Sequence, residues 1–405
     1  MSKRVLLVAQ NFYPEFFKSN DIASELVARG YDVDVLTGIP NYPEGVFPEG
    51  YGLFKRRVDN YKGAKVYRVC QIPRGRKASS IRLSINYLSF AFFSMLWVLF
   101  FFLFKKRYDA IIIHQTSPVT QSWAGILLGK IKRIPVYTWV LDIWPDSVLG
   151  TIQSDNILIK KPLDIYTDWM YRNSTKILIS SPGFKELVNR NADYSDKIIY
   201  FPNWSEDIAS MPIKDTPLHL NGFVIMLAGN ISHAQGISDI VKAIEVLKEQ
   251  RDIYWVFVGG GAEQQWLKEY VKDNGLDNNV FVVGRYPFEY MSAFYAKANV
   301  MLLTLKHTSY PHLNATIPAR LQSYMSAGKP IVGMAGDGAK TLINDNKCGL
   351  IADAGDYHSL ADNILHLYNN PAELIEMGNN ARTLYEEQYT LKHCLDNLES
   401  IISPK

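Results

Sequence analysis

The sequence contains a run of 21 residues without a charged side chain, SINYLSFAFFSMLWVLFFFLF at 84–104. As a helix the run would be about 32 Å long, enough to cross the hydrocarbon core of a bilayer. Apolar segments typical of buried strands lie on both sides, at 66–70 and 109–114. If both strands belong to one parallel sheet, the helix cannot cross, because a crossing would separate them. We therefore expect a helix that enters one leaflet or lies in the interface, with a fully buried core helix as the alternative.

Basic residues surround this apolar run. From residue 55 to residue 107 there are thirteen lysines and arginines and a single acid, Asp59. They are clustered at 55–57, 74–82 and 105–107. Each base near an anionic cytoplasmic leaflet contributes about 1 kcal/mol to binding. The pattern favours the membrane interpretation and predicts a peripheral or monotopic protein on the cytoplasmic, inner face of the plasma membrane.

Composition indicates a globular chain. With 405 residues, 47% apolar and 20% charged, it is long enough for two domains and too apolar to be disordered. A net charge of +3 gives no support to a nucleic-acid partner. The three cysteines, Cys70, Cys348 and Cys394, lie far apart, which fits a reduced compartment and argues against a structural zinc site. The apolar run at 5–9 is too short for a signal peptide and predicts a first buried strand.

Elsewhere short apolar strands alternate with helices, which is typical of doubly wound α/β domains. One series begins at residue 5 and a second at residue 223, and the polar, Pro-containing stretch 205–221 between them predicts a linker. No G-x-G-x-x-G fingerprint follows either first strand, so a dinucleotide cofactor has no support. Two α/β domains are therefore expected.

The segment 306–333 predicts an anion site in the second domain. A strand at 300–305 is followed by Lys306, a loop, and a helix at 319–327 that ends at Gly328. A helix N-terminus at the carboxyl end of a strand attracts anions, and Lys306 and Arg320 add charge. An ordinary loop with two solvated bases is the alternative.

This segment resembles the donor-binding segment of family 4 glycosyltransferases, through TIPARL at 316–321 and YMSAGKPIV at 324–332. LDIWPDS at 141–147 is similar to a motif of the O-antigen and capsule branch, which is typified by N-acetyl-fucosamine transferases. The stretch 171–186 and the PNW at 202–204 also resemble this branch, and the likeness runs over nearly the whole chain.

The resemblance implies the GT-B fold, two Rossmann-like doubly wound domains facing a cleft. The expected parts are an acceptor-side domain (1–204), the linker (205–221), a nucleotide-sugar-binding domain (222–385) and a C-terminal helix (386–405) that packs toward the first domain. It also implies a set of donor-binding residues: Asn230, Gln235, Gly236, Arg285, Lys306, Thr316, Ile317, Arg320 and Leu321.

The chain departs from the family pattern at the donor site. Asn230 and Gln235 stand where the family usually has Arg and Lys, and Ala315 and Ser323 replace a Glu-x7-Glu pair. Backbone N–H groups near Gly236, together with Lys306, Arg285 and Arg320, are expected to receive the donor phosphates instead.

Asp142 is the predicted catalytic residue. It lies at the carboxyl end of a strand, where a carboxylate can orient a substrate hydroxyl or take its proton. The alternative is a helix N-cap, a role we assign to Asp146. The resemblance also implies a set of acceptor-side residues: Tyr13, Asn20, Asp21, Pro40, Asn41 and His114.

These features predict a retaining glycosyltransferase. It would move a sugar from a UDP-sugar donor to a lipid-pyrophosphate-linked saccharide acceptor in O-antigen or capsule biosynthesis. No metal-ligand cluster is visible in the sequence, so we expect neither a metal nor another cofactor. The alternatives are a nucleotide-sugar epimerase of the same fold and, more distantly, a non-catalytic sensor. The apolar helix argues against an epimerase, because an enzyme with soluble substrates needs no bilayer.

Overall fold

The computed structural model describes residues 2–77, 79–152 and 156–403. The chain divides into two compact units. The first contains the residues up to Phe201 and those from Leu395 onward, and the second extends from Pro202 to Cys394. Each unit is built on one sheet with helices on its faces, which confirms the predicted class of two Rossmann-like, doubly wound domains.

The first unit has an eight-stranded sheet in the order β3-β4-β2-β1-β5-β6-β7-β8. All neighbouring strands are parallel except β3, an antiparallel edge strand that the sequence did not predict. Its strands are β1 (Arg4–Val8), β2 (Asp32–Gly38), β3 (Val58–Tyr61), β4 (Ala64–Val69), β5 (Ala110–Gln115), β6 (Val136–Val140), β7 (Lys176–Ile179) and β8 (Ile198–Tyr200). Its helices are α1 (Lys18–Ala28), α2 (Ser80–Phe100), α3 (Ser122–Lys132), α4 (Asp146–Ile152), α5 (Ile157–Asn173) and α6 (Phe184–Val188).

Helix α2 corresponds to the long apolar run. It begins four residues earlier than predicted and ends at Phe100, before a 3₁₀ turn at Phe102–Phe104. It connects β4 to β5, and both strands lie in the same sheet. The two strands therefore exclude a complete crossing of a bilayer, as the sequence indicated.

Only one face of α2 is buried. That face consists of Asn86, Phe90, Ala91, Ser94 and Val98. By length and composition α2 and the following turn could span a membrane, and 28% of their most apolar window is buried within the protein. The alternative of a fully buried core helix is therefore wrong.

The second unit has a six-stranded parallel sheet in the order β11-β10-β9-β12-β13-β14. Its strands are β9 (Phe223–Asn230), β10 (Ile253–Gly260), β11 (Val280–Gly284), β12 (Val300–Thr304), β13 (Ile331–Ala335) and β14 (Gly349–Asp353). Its helices are α7 (Ile237–Val246), α8 (Gln264–Asp273), α9 (Met291–Lys297), α10 (Pro311–Asn314), α11 (Arg320–Ser326), α12 (Asp337–Asp345), α13 (Tyr357–Asn369) and α14 (Pro371–Gln388), and α15 (Leu391–Ile402) follows.

The segment predicted as a linker packs on the second unit. Ile208 and Leu218 are buried in its core. Asp207 forms an ion pair with Arg382 of α14, with Nη2 and Oδ2 2.9 Å apart. The hydrogen bonds from Arg382 lower the pKa of Asp207. Residues 205–221 therefore belong structurally to the second unit.

The C-terminal helix α15 begins at Leu391, five residues later than predicted. Arg29, at the end of α1, forms ion pairs with Asp396 at 2.7 Å and Glu399 at 3.0 Å. Tyr31 also donates to Glu399 at 3.0 Å. These contacts attach the last turns of the chain to the first unit.

Candidate functional site

The two central strands of the second sheet part before their carboxyl ends. β9 and β12 pair only through Ile225–Val300 and Met226–Met301, although β9 continues to Asn230. Tyr324 of α11 replaces the lost pairing: its hydroxyl accepts from Ala228 N at 3.0 Å and donates to Ala228 O at 2.9 Å. The strand order reverses at this point, and doubly wound sheets bind their ligands in such a crevice.

Lys306 lies beside this crevice, against the start of α7. Its backbone N–H donates to Ala234 O at 2.9 Å, and Thr304 Oγ1 donates to Gln235 O at 2.6 Å. Gly236 begins α7 with φ +62°, and a Cβ there would lie 3.4 Å from Lys306 Cα. The ammonium group of Lys306 and the positive end of the α7 dipole therefore form one electropositive region.

His233 is a neighbour of Lys306 that the sequence did not predict. Its Nε2 lies in close contact with Lys306 Nζ, and its Nδ1 lies 3.1 Å from Glu263 Oε1. If Nδ1 carries the proton, it donates to Glu263 and leaves Nε2 to accept from the lysine. The only indication in the sequence was the position of His233 in the loop after β9.

Two arginines lie against glycines at neighbouring strand ends. Gly229 has φ +133°, and a Cβ there would be 3.6 Å from Arg320 Cζ. A Cβ at Gly260 would come within 2.5 Å of Arg285 Nε, and Gly260 pairs in register with the exposed Asn230. Within the described residues, the buried Nη1 of Arg320 has no hydrogen-bond partner. It is thus available for a phosphate oxygen, the acceptor that guanidinium groups bind best.

The other predicted donor residues differ in accessibility. Gln235 is buried beside Lys306, and its Oε1 has no partner in the described part of the chain. Thr316 is half-buried and its hydroxyl donates to His312 O at 2.7 Å. Ile317 and Leu321 are buried in the core of the unit, so only their backbone groups could contact a donor.

In the first unit, Asp142 follows β6 and is half-buried. Both of its carboxylate oxygens accept short hydrogen bonds, one from Ser117 and one from Ser147. The carboxylate is therefore held in one orientation. Asp146 is not the predicted N-cap: it lies inside the first turn of α4 and forms an ion pair with Arg190.

Two predicted acceptor-side residues stabilise loops. Asn20 accepts from Tyr13 N at 3.1 Å and donates to Glu15 O at 2.7 Å, which closes the loop after β1. Asn41 is buried, and its side chain accepts from Arg74 N at 3.1 Å. Tyr13 itself is 41% exposed, so its ring is accessible to a substrate.

His114 is buried within the sheet, with its ring 5.3 Å from that of Trp139. Burial lowers the pKa of His114 to about 3, so the imidazole is neutral at physiological pH. The acceptor-side role of His114 stays a prediction, and the whole of β5, on which it lies, is buried. Pro40 is also buried, and Asp21 is half-exposed on α1.

Glu15, Arg74 and Tyr87 form a cluster that the sequence did not predict. Glu15 is buried and accepts from the backbone N–H groups of Asn41 and Tyr42 at 2.6 Å. Burial raises its pKa to about 7 against those hydrogen bonds. Arg74 Cζ lies 5.1 Å from the centre of the Tyr42 ring and 5.6 Å from that of Tyr87. Arg74 had been grouped with the bases expected to face lipid.

Over the described ranges, no group of three or more His, Cys, Asp and Glu side chains is placed to hold a metal ion.

Two family profiles match the chain. Glycosyl transferase 4-like domain matches residues 19–204, and glycosyl transferases group 1 matches residues 213–384. The gap between the two matches falls in the segment that joins the two sheets.

Known proteins agree with these profiles. The colanic acid biosynthesis glycosyl transferase WcaI of Escherichia coli K12 is 22% identical over 80% of this chain and 81% of its own length. Sucrose-phosphate synthase from Thermosynechococcus elongatus has a TM-score of 0.73 at 15% identity, covering 99% of this chain and 98% of its own. Anabaena Alr3699/HepE in complex with UDP has a TM-score of 0.70 at 15% identity, covering 100% of both chains.

Proposed function

Because the chain is a glycosyltransferase of the GT-B fold, we propose that it is a retaining enzyme that transfers a sugar from a UDP-sugar to a lipid-linked saccharide. The product would be an intermediate of a bacterial surface polysaccharide, O-antigen or capsule. WcaI, named for colanic acid biosynthesis, supports a polysaccharide role. An N-acetylated hexose or deoxyhexose as the transferred sugar follows from the motif resemblance alone.

The electropositive crevice beside β9 and β12 carries the proposal. Lys306, the start of α7 and the buried Nη1 of Arg320 surround it, and Arg285 lies at the next strand end. A pyrophosphate needs several N–H donors in a small space, and these groups provide them. The UDP complex of HepE, a protein of the same fold, supports a uridine nucleotide as the ligand.

The proposed chemistry needs little covalent participation by the protein. The acceptor oxygen bonds the anomeric carbon as the bond from that carbon to the phosphate oxygen breaks, on the same face of the sugar. The departing phosphate takes the proton of the acceptor hydroxyl. Lys306 and Arg320 stabilise the charge that develops on the phosphate, and Asp142 orients the hydroxyl.

The membrane part of the proposal rests on the exposed apolar surface of α2. The residues that form it include Ile81, Leu88, Phe92, Phe100 and, in the following turn, Phe104. An apolar groove of about 650 Å³ is lined by Met95 of α2, by α3, and by Tyr166 and Trp169 of α5. Leu158, at the start of α5, is 79% exposed. The contribution of α5 was not predicted. Burial of such a surface in lipid stabilises binding by about 25 cal/mol per Å².

Fewer bases near α2 are exposed than the sequence indicated. Lys105 forms an ion pair with the buried Asp34 at 2.9 Å, and Arg68 is buried beside Asp59. Seven bases of the three clusters are exposed: Lys55, Arg56, Arg76, Lys77, Arg82, Lys106 and Arg107. These seven bases supply the salt-sensitive part of the proposed membrane attraction.

The epimerase alternative gains no support from the named relatives. A direct test distinguishes an epimerase from a transferase. The purified protein is incubated with UDP-sugars alone, and the sugar is analysed by NMR. We expect an unchanged sugar and release of UDP only after a membrane extract is added. Formation of an epimer without any acceptor would overturn the proposal.

A further inference from the structure

Arg74 of the first unit is a half-buried arginine without an acidic partner. It lies in the loop between β4 and α2, and no carboxylate of the described residues is within 4.0 Å of its guanidinium group. Its Nε is buried and has no hydrogen-bond partner in that part of the chain. A buried N–H donor with a positive charge and no partner is costly, which indicates a ligand.

The loop of Arg74 is held firmly. The backbone N–H of Arg74 donates to Asn41 Oδ1. Gly75 N donates to Gly45 O at 2.7 Å, and a Cβ at Gly45, which has φ +76°, would collide with Gly75 O. Asn86 of α2 donates to Ile72 O at 2.6 Å. These contacts fix Arg74 between the loop after β2 and the start of α2.

Two aromatic rings flank the guanidinium, and one carboxyl group lies within its electrostatic range. Tyr42 and Tyr87 lie at the distances given above, both short enough for a cation–π interaction. Glu15 is close enough for Arg74 to lower its pKa, although burial raises it overall. Rings on two sides leave the guanidinium N–H groups to bind a planar or tetrahedral oxyanion.

Tyr87 links Arg74 to the catalytic candidate and to the apolar surface. Burial raises the pKa of Tyr87, the charge of Arg74 lowers it and that of Asp142 raises it, so its hydroxyl is within electrostatic range of both groups. On α2 the next residue, Leu88, is 52% exposed and belongs to the apolar surface. An extended ligand bound to these groups would contact Asp142, Tyr87 and Arg74, and its apolar end would lie against α2.

We propose that Arg74 binds the phosphate that joins saccharide to lipid in the acceptor. The inference rests on the proposed function and adds the residue that selects phosphate-containing acceptors. The terminal sugar hydroxyl lies at Asp142, the saccharide against Tyr87, the phosphate at Arg74 and the lipid along the exposed face of α2. Pyrophosphate and monophosphate esters share the chemistry that Arg74 recognises.

A kinetic comparison tests whether Arg74 selects acceptors that contain a phosphate. Arg74→Lys and Arg74→Met variants are assayed with a lipid-pyrophosphate-linked saccharide and with the same saccharide as an alkyl glycoside. We expect the KM for the pyrophosphate acceptor to rise about tenfold or more. The KM for the alkyl glycoside and for the UDP-sugar should not change. The matched control is Lys185→Met, an exposed base on α6 of the same unit, with unchanged kinetics.

A binding measurement tests the role of Arg74 without requiring catalytic activity. Farnesyl pyrophosphate, farnesol and inorganic pyrophosphate are titrated into wild-type and Arg74→Lys protein. We expect farnesyl pyrophosphate to bind wild type best, with a loss of about tenfold or more in the variant. If inorganic pyrophosphate binds wild type equally well and loses the same affinity in Arg74→Lys, Arg74 is a free-anion site and the inference fails. An equal rise in KM for both acceptors, or no effect on binding or kinetics, would also overturn it. Intact Arg74-dependent binding without transfer would instead refute only the proposed function.

Discussion

At the scale of residues, the proposed donor site depends on cations that lie close to glycine at the ends of strands. Glycine at positions 229 and 260 gives space to Arg320 and Arg285, and Gly236 lets α7 begin beside Lys306. A side chain at any of these positions would displace a base or strain the backbone, because two of the three have positive φ.

Lys306→Ala should weaken UDP binding by about 1.5–3 kcal/mol, the value of a hydrogen bond to a charged group. Isothermal titration of UDP into wild type and variant measures the difference. Lys268→Ala, an exposed base on α8, is the matched control and should bind UDP as wild type does. Equal affinity in Lys306→Ala and wild type would remove Lys306 from the donor site.

Asp142→Asn should lose turnover while UDP affinity and melting temperature stay near wild-type values. The amide keeps the shape of the side chain but cannot take a proton or attract a hydroxyl as a carboxylate does. Asp146→Asn is the control, because it breaks the ion pair with Arg190 and should lower stability alone. If Asp142→Asn melts early and each folded molecule turns over normally, Asp142 is a structural residue.

The buried Glu15 predicts a pH-dependent stability. Its pKa of about 7, against an ordinary 4.5, means that the folded state binds the proton more tightly than the unfolded state. The resulting stabilisation is complete below about pH 4.5 and is lost as the pH rises through 7. A shift of this size corresponds to about 3 kcal/mol.

Melting temperatures of wild type and Glu15→Gln between pH 5 and pH 8 measure the effect. Wild type should lose more stability over this range than the variant, whose side chain does not titrate. His114 acts in the opposite sense, because its folded pKa of about 3 lies below the ordinary 6.5 and the unfolded state takes up a proton as the pH falls below 6.5. Both proteins carry His114, so the difference between their two curves reports Glu15. Parallel curves for the two proteins would show that Glu15 ionises normally.

The sequence predicted Lys306 and Arg320 because each stands next to a strand end or helix start, positions that are visible in the order of residues. It could not predict Arg74 or Glu15. Their importance comes from burial beside Tyr42 and Tyr87, which are brought there by separate loops and by α2. The burial of His114 was not predictable either, because a strand that is buried on both faces gives no alternation to show which side chains are accessible.

At the scale of elements, α2 should bind the protein to membranes from one side. Leu88, Phe92, Phe100 and Phe104 are exposed, so replacing all four with Ser should leave the first unit folded. Phe102 is fully buried and must stay. The variant should remain in the supernatant after membranes are pelleted, with UDP affinity unchanged.

High salt and detergent distinguish the electrostatic from the apolar contribution to membrane binding of the wild type. High salt should weaken binding without releasing the protein, since it screens only the basic side chains. Detergent should release it. Ile213 and Ile375 of the second unit are also exposed, and their replacement by Ser is the control that should leave the protein in the pellet. Wild-type protein in the supernatant at low salt would contradict the membrane proposal.

The existence of α2 was predictable from its apolar length, and the strands on either side indicated that it does not cross a bilayer completely. Its bounds and the contribution of α5 were not. Ile157, Leu158 and Ile159 on α5 form an apolar run of only three residues, and Lys160, Lys161 and Asp164 stand between it and the exposed Ile165. No long apolar run therefore indicates the exposed patch.

At the scale of the whole molecule, the alternation of strands and helices was enough to predict two doubly wound units. The packing of residues 205–221 was not predictable, since it depends on contacts distant in sequence, such as Asp207 with Arg382. The edge strand β3 was missed although its pairing is local, because it joins β4 through the two-residue turn of Lys62 and Gly63, both with positive φ. Donor and acceptor features lie on different units, so both units are needed for the proposed transfer.

Transfer of sugar into lipid tests the central claim most directly. Purified protein is incubated with radiolabelled UDP-sugars and a bacterial membrane extract, and label is counted in the lipid fraction after extraction. We predict that one UDP-sugar labels the lipid fraction, and that Lys306→Ala and Asp142→Asn each reduce this labelling strongly. Label that remains water-soluble with every UDP-sugar, or lipid labelling that neither substitution reduces, would contradict the account.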